Sequence, residues 1–264
     1  MLLDAVRLAY LSVAVLVHAS HFTTLCASQV KDLEVLAGKL NPAVGYWNPT
    51  SLTEMEFWGQ TQEATIGFLR QAEIKHGRVA MAAFVGFVVQ SQGICFPWSL
   101  TTSGITFADI SAAGSPLEQW DALPTNSKMS LLSAIGFLEW WGENKYALEQ
   151  SGEQHYMRGG KPGVFPSFNK GGIPHPVPLE LFDPFGLSKN ASPEKKANGL
   201  LAEINNGRLA QLGIMAFVSE AKIPGSVPAL KGLIAPYTGN PMGPFTVADN
   251  LPFVSEMSAS GFAF

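Results

Sequence analysis

At 264 residues, with 47% hydrophobic but only 14% charged side chains, the chain carries far less charge than the roughly 25% usual for soluble domains. Its mean hydropathy of +0.15 is nonetheless too low for a chain that lies mostly in membrane, so a few apolar spans joined by long polar connections fit best. The net charge of −4 offers no basic surface for nucleic acid, and two cysteines, Cys26 and Cys95, make neither a disulfide framework nor a zinc site and read as buried free thiols.

In chain order, residues 1–28 place Arg7 before an apolar run, 8–17, and then small and polar residues. Ten apolar residues do not cross about 30 Å of hydrocarbon. The segment is either a targeting sequence or an amphipathic N-terminal helix, and the domain proper is expected over 29–264. Three apolar segments come next, at about 64–90, 128–148 and 197–219. None has 18 consecutive apolar residues, because the first and third carry charged and amide side chains where they enter their apolar halves. The stretches 159–178 and 222–244 are dense in Pro and Gly and read as irregular connections. No strand alternation is persuasive.

The first and third segments repeat each other. Residues 73–90 read EIKHGRVAMAAFVGFVVQ and 203–220 read EINNGRLAQLGIMAFVSE, identical at 7 of 18 positions without a gap. Shared apolar positions follow from any pair of helices; a shared Glu and Arg five apart, enclosing His or Asn and then Gly, do not. On a helix Glu73 and His76 lie about 60° apart, whereas Arg78 lies about 140° from Glu73 and is poorly placed to pair with it. Two such helices crossing about a two-fold axis resolve this reciprocally, Glu73 meeting Arg208 and Glu203 meeting Arg78. Pairing is needed at membrane depth, where an unpaired charge costs roughly 2.5–3.5 kcal/mol or more. Small residues at matched offsets, Gly77, Ala80 and Ala83 against Gly207, Ala210 and Gly213, leave room for close helix approach or for a flat ring.

His76 and Asn206 add something a salt-bridged lock does not need. Each is a neutral axial donor that is expensive to bury unpartnered. A magnesium already neutralised by its macrocycle takes one such donor, and a carboxylate serves as well when a nearby cation cancels its charge. The paired ExxHxR and ExxNxR motifs resemble those of the light-harvesting chlorophyll-binding family. The resemblance implies an all-α membrane protein with three transmembrane helices, the first and third crossed about a pseudo-two-fold axis, and long irregular loops. It implies Glu73, His76, Glu203 and Asn206 as axial ligands to chlorophyll magnesium, with Arg78 and Arg208 in structural ion pairs. Glu220 stands where the family often has a ligating Gln: it either ligates or sits at a wet helix end. Gln90 is its counterpart in the first helix. In the middle segment, IGFLEWWGE places Glu139 where the family has a ligand, the other reading being a carboxylate at the membrane boundary beside Trp140 and Trp141. A further ligand two turns earlier is not evident, since Leu131 and Leu132 occupy that region.

The pentapeptide DPFGL, 183–187, is by itself a turn. It is similar to the family's DPLGL, which implies that Asp183 and Pro184 help hold one end of a carotenoid; GYWNP, 45–49, is a weaker counterpart. FPWSL, EQWDALP, GFLEWWGE, HYMRGGKPG, IPHPVPLELFDPFG and EAKIPGSVPAL together resemble the membrane-bound peridinin–chlorophyll a/c antenna proteins of dinoflagellates, relatives of the fucoxanthin–chlorophyll a/c proteins. That resemblance implies chlorophyll a, chlorophyll c, peridinin and a diadinoxanthin-type carotenoid in a chloroplast thylakoid protein. Its partners would be a photosystem core (I or II), other antenna subunits and thylakoid lipids. The implied function is excitation transfer to that core, the alternative being a photoprotective, energy-quenching member; such members sense acidity through exposed carboxylates, and the loops here contain Glu118, Asp121, Glu149 and Glu153 but no dense acidic cluster. No HExxH, P-loop, nucleophile elbow or dinucleotide fingerprint points to an enzyme.

Overall fold

The computed structural model describes residues 30–170, 183, 186, 190–252 and 254–259; the segment 1–28 and Pro184 lie outside them. Among the described residues the chain is helical, and the sole β-type pairing is an isolated bridge between Ser99 and Thr106. Helix α1 covers residues 30–40. It is followed by α2 (Gln62–Ser91), α3 (Phe107–Ser111), α4 (Pro116–Asp121), α5 (Thr125–Glu143), α6 (Lys145–Ser151), α7 (Pro193–Lys222) and α8 (Val254–Ala259).

Local chemistry sets the ends. The Thr61 hydroxyl accepts from Ala64 N–H at the start of α2, and Gly93, at φ 70°, donates to the Gln90 carbonyl just past its end, a glycine C-cap. Thr106 with Asp109 and Ser115 with Glu118 form capping boxes on α3 and α4. Helix α7 starts four residues before the sequence-based bound, because Ser192 accepts from Lys195 N–H and Pro193 is preorganised for a first turn. The expected middle helix, 128–148, is two helices. Asn144 turns to extended backbone, ψ 121°, so α5 stops at Glu143 and α6 begins at Lys145. Cys95 is exposed, which corrects the expectation of a buried thiol: it lies beyond the end of α2, not in its packed face.

No helix of the described residues is long and apolar enough to cross a membrane by mean hydropathy. Length is not what limits the two 30-residue helices, each about 45 Å at 1.5 Å per residue. Charge is: Arg70, Glu73, Lys75 and Arg78 occupy the middle of α2, and Glu203 and Arg208 that of α7.

The chain divides into two compact units, residues up to Lys75 with Lys145–Asn205, and His76–Asn144 with Asn206 onward. In the first unit, Gln71 Oε1 accepts from Gly163 N–H at 2.6 Å. A side chain at Gly67 would collide with the Tyr156 carbonyl, and Asn205 Nδ2 donates to the Leu40 carbonyl at 3.2 Å. Ala64, Ile66, Ala147 and Leu148 are buried there. In the second unit α2 and α7 meet through Gly77 and Gly207, and a side chain on Gly213 would press on the Phe84 ring. Phe217 packs against both Phe84 and Phe87 with ring centroids 5.0 Å apart.

Candidate functional site

The sequence repeat is also a repeat of environment. In α2, Glu73 is half-buried, Ile74 buried, His76 exposed, Gly77 buried and Arg78 exposed; in α7, Glu203, Ile204, Asn206, Gly207 and Arg208 show the same order. The two isoleucines are 7% and 6% exposed. One turn past each candidate donor stands an exposed aliphatic residue, Val79 at 68% after His76 and Leu209 at 69% after Asn206. An exposed apolar surface carrying a nitrogen or oxygen donor would suit a flat, hydrophobic, metal-centred ring, the aliphatic residue offering it apolar contact and the donor a ligand. The residues present fit a chlorophyll in that respect. Among the described residues, no three His, Cys, Asp or Glu side chains gather to hold a bare metal ion.

Glu73, His76, Arg78, Glu203, Arg208 and Glu139 are each engaged with other groups of the protein. Glu139 is exposed on α5, with exposed Ile135 one turn before it and exposed Trp140 beside it, while Trp141 turns inward and is buried. The Phe137 and Trp140 rings lie 5.9 Å apart.

The structure distinguishes the two residues at the far ends of the repeat. Gln90 is exposed, and its backbone carbonyl receives the Gln119 side-chain amide at 3.2 Å. Glu220 is 2% exposed and accepts from Gly225 N–H and Val227 N–H, both at 2.8 Å. Glu220 therefore folds the chain back after α7, and it does not sit at a wet helix end. In DPFGL, Asp183 adopts φ 53°, and its carbonyl accepts from Gly186 N–H at 3.0 Å, which closes a turn.

Two anchors in the second unit were missed in the sequence. Lys128 Nζ, fully buried, lies 2.8 Å from Asp249 Oδ2 and also donates to the Asp121 carbonyl; Asp249 accepts from the Thr125 hydroxyl too. Burial raises the Asp249 pKa, but hydrogen bonds from Lys128, Thr246 N–H and Thr125 outweigh it and bring it to about 2. Nearby, the Tyr237 hydroxyl donates to Asp121 Oδ2 at 2.6 Å; burial first, then that carboxylate, raise its pKa above the ordinary tyrosine value. A lysine at the start of an apolar helix was the available signal, but its partner is 121 residues away.

Known proteins share the same stretch of chain. The family described as Chlorophyll A-B binding protein matches residues 33–222, a stretch that includes both motif helices. A fucoxanthin-chlorophyll a-c binding protein B of Macrocystis pyrifera is 30% identical over 219 residues, covering 81% of this chain and 85% of its own. A fucoxanthin-chlorophyll a-c binding protein C of Phaeodactylum tricornutum is 30% identical over 177 residues, 67% of this chain and 74% of its own. A fucoxanthin-chlorophyll a-c binding protein from Trieres chinensis is 25% identical, covering 71% and 78%.

Proposed function

The chain belongs to the chlorophyll A-B binding protein family, and from that premise we propose that it is a thylakoid light-harvesting antenna with three membrane-spanning helices. It binds chlorophyll a, chlorophyll c and carotenoid and passes excitation to a photosystem core. The family is one of pigment-binding antenna proteins, and no catalytic step is proposed. The observation that carries the reading is the pair of equivalent donors, His76 and Asn206, each exposed beside a matching aliphatic residue on helices that meet at Gly77 and Gly207.

Bound chlorophyll supplies the visible absorption and the excited state; the protein supplies placement. His76, Asn206, Glu73, Glu203 and Glu139 would hold chlorophyll through its magnesium, and Gln90 would be a further ligand. Arg78 and Arg208 neutralise the glutamates of the opposite helix in this reading. For Glu220 the two backbone hydrogen bonds support a structural role. Asp183 and Pro184 are proposed to flank a carotenoid end.

For the carotenoid we propose peridinin with a diadinoxanthin-type companion, on the resemblance of the loop motifs; the relatives' names point to fucoxanthin. The quenching alternative needs free acidic sensors. Glu118 is used in its capping box and Asp121 by the Tyr237 hydroxyl, which favours the antenna reading.

The test is an absorption and circular dichroism spectrum of the protein purified in mild detergent, followed by pigment extraction. Chlorophyll a, chlorophyll c and peridinin are the expected yield. Fucoxanthin in place of peridinin overturns the carotenoid assignment alone. A colourless folded protein overturns the antenna function.

A further inference from the structure

From Val79 to Ala108 the chain carries no charged residue, thirty positions in all, yet α2 ends at Ser91. The uncharged stretch therefore outlasts the helix. Beyond the helix end the chain forms an ordered hairpin. Leu100 N–H donates to the Ile105 carbonyl at 2.8 Å, Ser99 bridges Thr106, and the Thr106–Asp109 capping box closes the return into α3. The stem that leads into it, residues 94–98, is exposed throughout, with Ile94 at 64%, Phe96 at 58% and Trp98 at 57%. The Phe96 and Trp98 rings are stacked at 4.7 Å, and Phe107 meets Phe96 edge-on at 5.5 Å. The tip, Thr101 to Gly104, is polar, with the Thr101 and Ser103 hydroxyls hydrogen-bonded to each other.

We propose that hairpin 94–107 is a membrane-interface anchor, its aromatic stem seated in the headgroup region of an uncharged lipid surface and its polar tip toward water. Three features point to lipid. Trp, with an apolar ring and a polar N–H, is at home at the apolar–polar boundary, and Phe96 stacked on it adds apolar area. The exposed stem continues the exposed apolar surface of α2 at Val85, Val88 and Val89. The absence of Lys and Arg means that binding draws nothing from anionic headgroups. The anchor rests on the membrane reading above and adds to it where the bilayer boundary falls: past the end of α2.

Cys95 is exposed in this stem and provides the probe. In the pigmented Cys26→Ser protein, reconstituted into phosphatidylcholine vesicles, a nitroxide on Cys95 is compared with one on Val85→Cys in a Cys26→Ser, Cys95→Ser background. Relaxation by oxygen and by a water-soluble nickel complex is read for each. The expected result is a Val85 label in the hydrocarbon and a Cys95 label at shallower, interfacial depth, unchanged by adding anionic lipid and shifted toward water by Phe96→Ser with Trp98→Ser. A Val85 label in lipid with the Cys95 label fully aqueous overturns the anchor and leaves the antenna reading intact. Both labels aqueous overturn the membrane reading itself. A Cys95 label shielded from both relaxation agents means that protein, such as a second copy, covers the hairpin, and also overturns the proposal.

Discussion

Gly77 and Gly207 face each other with no room between them: a Cβ on Gly77 would stand 3.0 Å from the Gly207 Cα, and one on Gly207 2.9 Å from the Gly77 Cα. The clash is with backbone, which cannot swing aside as a side chain would. Gly77→Ala and Gly207→Ala are each expected to destabilise the pigmented protein by about 1–3 kcal/mol, the usual range for overpacking. Gly86→Ala is the control, since no atom lies within 4 Å of its added Cβ. Thermal loss of the visible circular dichroism signal measures the difference, and equal melting of all three would deny that the close approach matters.

The exposed donors next to that contact separate ligation from packing. His76→Ala and Asn206→Ala are each expected to remove about one chlorophyll per chain, because one neutral donor serves one axial position. Neither side chain is buried, so the polypeptide should still fold. His76→Asn, which places the α7 donor in α2, should restore the lost pigment. Unchanged chlorophyll content in both alanine variants would remove His76 and Asn206 from the ligand set.

What the sequence reveals here is what repeats at short range. The motif at 73–78 and 203–208 is legible because Glu, Arg and Gly at fixed offsets on a helix have few uses together in apolar surroundings, and the two copies share their burial order. The break at Asn144 was missed: 128–148 reads as one apolar segment, although Gly142, Glu143, Asn144 and Lys145 interrupt it with a polar, turn-favouring stretch. The Lys128–Asp249 pair was not legible, since nothing local to a lysine names a partner 121 residues on. Glu220 was ambiguous for a related reason. Its role is set by the turn after it, through backbone N–H groups of Gly225 and Val227, and a backbone N–H leaves no mark in the sequence.

The Lys128–Asp249 pair predicts an acid limit. The Asp249 pKa of about 2 lies below its ordinary 3.8. Its contribution is therefore fully present above about pH 4 and is lost as pH falls through 4 toward 2. Lys128→Met leaves the Asp249 carboxylate short of a partner and should cost about 1–3 kcal/mol at neutral pH. It should also flatten the acid side of the stability curve. Denaturant melts from pH 2 to pH 7 supply both readings, and a variant that kept the full acid dependence would show that Lys128 does not set the Asp249 pKa.

Glu220 allows a sharper separation of structure from pigment binding. Both oxygens accept backbone N–H groups at 2.8 Å, so Glu220→Ala leaves two amides at the start of the return from α7 without an acceptor. At about 0.5–1.5 kcal/mol for each hydrogen bond lost, the expected cost is about 1–3 kcal/mol. Glu220→Gln retains one acceptor oxygen and should cost about half as much. A purely structural residue lowers the melting temperature in that graded order while the extracted chlorophyll per chain stays constant. Ligation predicts the opposite pattern, with Ala losing a chlorophyll and Gln, itself a competent neutral donor, keeping it. Pigment content and melting temperature measured on the same two variants therefore decide between the roles.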